Sequence, residues 1–146
     1  MKRTLIVAAL IIFGMTQVKA QKSEIYVSGG KAINGYDAVA FFTQSKPVKG
    51  SDSFSFEWQG AKWLFANAED LAAFKADPEK YAPQYGGYCA YGTSQGHKAP
   101  TKAETWTVLN NKLYFNYNKQ VKELWTKDRD SLIIVADKKW PEVKAQ

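Results

Sequence analysis

The sequence predicts a single small α+β domain with two β-hairpins and several short helices, carried behind an export signal. Three observations predict it. Two hairpins are legible, at 54–65 and 105–116, and helix-length segments with an apolar face lie between and after them. The chain is 146 residues with 45% apolar residues and has no repeats, low-complexity tracts or linkers, which suits one core.

The first twenty residues read as an address. Lys2 and Arg3 form a positive start, an apolar stretch runs from Leu5 to Met15, and Val18-Lys19-Ala20 supplies small or permissive residues for cleavage. The apolar stretch is shorter than the about 20 residues a membrane span needs. The expectation is a signal peptide at 1–20, a domain at 21–146, a periplasmic or secreted protein, and no membrane attachment after cleavage.

Elements follow in order. A strand is expected at 24–28, ended by Gly29-Gly30. Asp37 stands before the apolar run 38–42 as the cap of a short helix, and 45–53 reads as a loop. Phe54, Phe56 and Trp58 alternate with polar residues, Gln59-Gly60 turns, and 61–65 returns. Asn67, with Asp70 three residues on, opens a helix whose buried face holds Leu71, Ala73 and Phe74, and the charge of Asp70 suits that helix start. Asp77-Pro78 ends it and begins a short turn. Asn110-Asn111 tolerates the positive φ of the second hairpin. Helices are expected near 119–127 and 131–139.

Composition narrows the function. Without the first twenty residues, 17 bases stand against 14 acids over 126 residues, and 16 of those bases are lysine. A thin lysine excess with one arginine, Arg129, does not suit phosphate or base recognition, and no nucleic-acid partner is expected. Gly92-Thr93-Ser94-Gln95-Gly96 matches the pattern of a nucleophile elbow. It lacks the strand, helix, acid and distant histidine that such an elbow needs, so no catalytic residue is assigned.

Both methionines fall in the signal, leaving one thiol, Cys89, and one imidazole, His97. Cys89 reads either as a small buried hydrophobe or as a soft ligand. If 87–94 is helical, Tyr85 and Thr93 flank it, and a longer helix would bring His97 to the same side. Two such ligands do not close a tetrahedral site, so a carboxylate, a tyrosine or the thiol of a second copy in a homodimer would complete it. The other candidate is an aromatic pocket drawn from Tyr36, Asp37, Tyr85, Tyr88 and Tyr91.

Trp58-Gln-Gly-Ala-Lys-Trp-Leu-Phe65, followed by 71–74 and Asp77-Pro-Glu-Lys-Tyr81, resembles the YHS domain. With Gly35-Tyr-Asp-Ala-Val-Ala-Phe-Phe42 and Tyr85-Gly-Gly-Tyr-Cys-Ala-Tyr91, most of the chain after residue 20 is similar to stand-alone exported bacterial YHS proteins. The resemblance implies a ββα frame and, from metal-handling relatives, cysteine ligands at positions that fall here on Ala40, Ala66 and Asp70. None is a cysteine. The expected function is a non-enzymatic exported binding protein, for copper or zinc through Cys89 and His97. The alternative is a metal-free small-ligand or protein-interaction module with the tyrosine-rich pocket.

Overall fold

The computed structural model describes residues 22–146; the expected signal peptide lies outside them. The chain forms a small α+β domain. Its larger sheet holds β1 (Val27–Ser28), β2 (Lys31–Ala32), β3 (Ser51–Trp58) and β4 (Ala61–Phe65), in the order β1-β2-β4-β3. β3 and β4 pair antiparallel around Gln59 and Gly60, both at positive φ, the geometry that matches a tight turn to the twist of its strands. β2 joins β4 parallel, through the crossover that contains the helix α1 (Ala38–Thr43). The second hairpin, β5 (Thr107–Leu109) and β6 (Lys112–Tyr114), turns at Asn110 and Asn111, also both at positive φ.

Side-chain caps set the helix starts. Asn67 Oδ1 accepts the Asp70 N–H at 2.8 Å to open α2 (Ala68–Ala76). Asp77 Oδ1 does the same for Lys80 N–H in α3 (Pro78–Tyr81), with Pro78 in the first turn where its missing N–H costs nothing. α4 (Ala90–Ser94) is one short turn. Asn118 caps α5 (Lys119–Lys127) at 2.9 Å from Val121 N–H. The last helix, α6, runs Arg129–Lys144.

Three boundaries differ from the expectations. The strand expected at 24–28 survives only as Val27–Ser28, because Ile25 leaves the sheet to enter the core and Tyr26 N–H bonds to Gly86 O at 2.9 Å. β3 begins inside the expected loop, at Ser51, after a register shift against β4. α6 runs past its expected end at 139 and through Pro141, which removes one backbone donor from the helix. Buried Ala136 and Val143 on either side of the proline hold it against the body.

Two apolar clusters result. One gathers Ile25, Val39, Phe41, Trp63, Phe65, Phe74, Leu113 and Phe115 beneath the sheet. Phe74 is its hub, with ring contacts to Trp63 at 4.9 Å and Phe65 at 5.0 Å. The other joins Tyr85, Ala90, Tyr114, Trp125 and Ala136, with Trp140 packed alongside.

The carboxylate of Asp37 ties the first cluster together. It has no exposed surface. Oδ1 accepts Val39 N–H at 2.9 Å and Ala40 N–H at 3.2 Å, which caps α1, and Oδ2 accepts Ala66 N–H at 2.9 Å beyond the end of β4. Asp37→Ala leaves those three donors without their acceptor in the interior. It should cost about 2–4 kcal/mol in urea unfolding, more than a solvent-exposed cap loses.

Candidate functional site

Cys89 serves as the cap of α4. Only 1% of it is exposed, and its Sγ accepts Gly92 N–H at 3.4 Å while the thiol donates to Asn116 Oδ1 at 3.5 Å. Asn116 Oδ1 also takes Tyr91 N–H at 3.2 Å, so the amide joins the thiol to the helix start. Burial pushes the Cys89 thiol up, and the N–H groups of Gly92, Tyr117 and Tyr91 offset that only in part. At neutral pH the sulfur is therefore a protonated, solvent-excluded group.

His97 does not share that environment. The helix begins at Ala90, Tyr85 and Gly86 lie in a left-handed turn, and Gly96 at φ +91 reverses the chain before His97. One continuous helix from Cys89 to His97 is thereby replaced by a turn in which His97 is largely exposed and its imidazole folds back beside Gly92, with no bond to the Cys89 thiol. Thr93 does meet Cys89, donating its Oγ1–H to the cysteine carbonyl at 3.0 Å. Among the described residues, no three histidine, cysteine, aspartate or glutamate side chains converge as metal ligands would. Ser94 ends α4 with its hydroxyl donating to Tyr91 O at 2.6 Å, which is not the strand-to-helix elbow of a hydrolase.

The five residues of the expected pocket occupy different places. Asp37 is the buried tie already described. Tyr36 lines a shallow cleft with Pro47 and Thr101, under the Lys49 ammonium at 5.4 Å from its ring. Tyr88 donates to Ser23 O at 2.7 Å, packs at a tilt against Tyr26 with ring centres 5.5 Å apart and carries the Lys98 ammonium over its face. Lys98 in turn donates to the carbonyls of Lys22, Ser23 and Lys144, binding the two ends of the described chain together. Tyr91 packs, half-buried, beside the second apolar cluster.

Tyr85 is different. It is a non-glycine residue at φ +57, and its hydroxyl donates to Asp137 Oδ1 at 2.8 Å. Its ring lies 5.9 Å from Trp140 and 6.0 Å from Tyr114. Burial, followed by the Asp137 carboxylate, holds the phenol far above its ordinary range, so it stays a donor. Gly86 follows at φ +62, and a Cβ there would collide with Glu24 O, so the backbones are pressed together at this point. Tyr85, Trp58, Glu79, Asp137 and Trp140 border an open cleft of about 460 Å³. Trp58 belongs to the first cluster and Trp140 to the second, so the cleft lies on the seam between them.

Sequence reasoning found Tyr85 but not its neighbours. Trp58 is in a hairpin and Asp137 and Trp140 are on the last helix, and no local spacing connects them. The left-handed turn had one signal, Gly86-Gly87.

The three positions to which the resemblance assigns cysteines do converge. Ala40 N–H and Ala66 N–H both bond to Asp37, and the Asp70 carboxyl group meets the same carboxylate. Asp70 is 8% exposed and does not present a free charge to the start of α2, as the sequence had suggested. Burial first, then the hydrogen bond and charge of Asp37, push it up to about 6, against a smaller opposing bond from Asn67.

Fold and cleft together define a small α+β domain with a charged, aromatic groove between two cores. Compared with family models, curated proteins and solved structures, the chain matches none.

The geometry of Cys89 makes a direct prediction. In native protein the thiol should react with iodoacetamide only as fast as the fold opens, so labelling should accelerate in parallel with unfolding by added urea. Rapid stoichiometric labelling of native protein would contradict its placement.

Proposed function

We propose that this is an exported, non-enzymatic binding protein of the YHS type that holds a small ligand in the Tyr85 cleft. One observation carries the reading. Tyr85 is kept in a left-handed conformation that costs a non-glycine residue about 1–3 kcal/mol, and the result is a phenol fixed on Asp137 at the mouth of a groove. Grooves at the meeting of two cores, with aromatic walls and a few placed polar groups, are where small molecules bind. The convergence of Ala40, Ala66 and Asp70 on one point supports the YHS resemblance, since a shared site in relatives requires those positions to be neighbours.

The walls suit a particular chemistry. Trp58 and Trp140, both half-buried, offer ring surface beside the buried Tyr85, while Glu24, Glu79 and Asp137 stand against Lys112 and Lys144. Lys144 is already paired with Glu24 at 3.4 Å, which leaves Glu79 and Asp137 opposite one lysine. A protonated amine on a flat or aliphatic body fits carboxylates beside aromatic rings. The burial of the Cys89 thiol, and its use as a helix cap, favour this small-ligand reading over copper or zinc.

Trp58 and Trp140 make the cleft its own reporter. Titration with arylalkylamines should change tryptophan fluorescence saturably, and the matching aryl carboxylates should not. Asp137→Asn should weaken amine binding about tenfold, the value of one charge-assisted contact. Equal affinity in wild type and Asp137→Asn, or no saturable change with any amine, would overturn the assignment. In parallel, chelator competition for zinc or copper(I) should be the same for wild type and Cys89→Ser.

A further inference from the structure

Asp37 takes the Ala66 N–H, Asp70 bonds with the neighbouring Asn67, and the two carboxyl groups meet in a hydrogen-bond contact. Asp37 stands before α1 and Asp70 in the first turn of α2, and both are buried. Two carboxylates in contact cannot both stay ionised where water does not screen them. Asp37 already accepts three backbone N–H bonds, a role for oxygen lone pairs, so the proton between the two groups belongs on Asp70.

The surroundings offer no substitute for that proton. From the α1 side Asp70 faces only Asp37, and from its own helix only the Asn67 amide, 3.4 Å from Asp70 Oδ2. β4 contributes the Ala66 N–H, which is spent on Asp37. Glu69 and Lys75 on α2, and Asp77, Glu79 and Lys80 on the α3 side, are exposed and do not act on Asp70. On β3, Asp52 is taken by Lys62 at 2.9 Å, and Glu57 is exposed. Lys49 lies over the Tyr36 ring.

We propose that Asp37 and Asp70 form a proton-gated latch, in which a hydrogen on Asp70, donated to Asp37, holds the start of α2 against the start of α1 and β4. Loss of the proton leaves two like charges in contact. The three N–H bonds keep Asp37 in place, so Asp70 is the group that swings toward water and draws the first turn of α2 with it.

The direction follows from linkage. The folded-state value for Asp70 is raised from 3.8 to about 6. Its stabilising effect is therefore complete below about pH 4 and is lost as pH climbs through about 6.

The test needs two readouts. In wild type the urea midpoint should fall between pH 5 and pH 7.5. In Asp70→Asn, which keeps a donor and carries no charge, it should be level over that interval and above wild type at pH 7.5. Independently of any variant, the Ala66 amide proton in wild type should shift with a midpoint near pH 6, because it bonds to Asp37 Oδ2. A level wild-type midpoint, an equal fall in Asp70→Asn, or an Ala66 amide that does not titrate between pH 5 and 7.5 would overturn the latch.

Discussion

Asp37 has no surface in contact with water, and its carboxylate joins backbone donors from two elements that are distant in sequence. Burying an ionised group is costly unless the interior supplies hydrogen bonds in return, and here three N–H groups do so. Those donors are themselves ends without regular partners: two belong to the first turn of α1 and one to the residue after β4. The same contact therefore caps a helix, anchors the chain just beyond the end of an interior strand and ties the two together. It also brings up Asp70, so the second helix is referred to the same point. The first apolar cluster, with Phe41, Phe65 and Phe74 among its members, fills the space that these three elements enclose.

The second cluster is built differently. It depends on α6 packing across α4, on Trp125 and Tyr114 in ring contact at 5.5 Å, and on the tie from Lys98 to the carbonyl of Lys144. Between the clusters the chain passes through Tyr85 and Gly86, both left-handed, with Gly86 pressed against Glu24. The strained turn is the joint of the domain, and the cleft opens beside it. A groove at such a joint needs no extra loop or lid to exist, because two separate clusters that share only a short stretch, with Leu113 and Phe115 in one and Tyr114 in the other, leave it between them.

Much of the architecture was legible because it is local. Alternation in 54–58, the Gln59-Gly60 and Asn110-Asn111 turns, and the caps Asp37 and Asn67 each act within a few residues, and each has its expected place. The last helix runs past its expected end at 139 and through Pro141, with Val143 buried beyond the proline. The parallel pairing of β2 with β4 depends on one contact, Lys31 with Lys62, which no pattern in either segment announces. The site was harder still. A run of tyrosines suggested one pocket, but left-handed residues at 85–87 turn successive side chains to different surfaces. Cys89 and His97 looked like a pair only on a helix that Gly96 interrupts. The partners of Tyr85 come from a hairpin and the final helix, and tertiary packing alone brings them together.

The central claim is that ligand recognition resides at the seam between the cores and not at the lone thiol. A two-dimensional amide NMR titration tests it most directly, because it maps where binding occurs without altering a residue. With a saturating arylalkylamine, shifts should concentrate at Trp58, Gln59, Tyr85, Gly86, Asp137 and Trp140, with Gly92 and Tyr117 unmoved. Shifts centred on Tyr91, Gly92 and Tyr117, whether with the amine or with one equivalent of zinc or copper(I), would place the site at Cys89 and contradict the account.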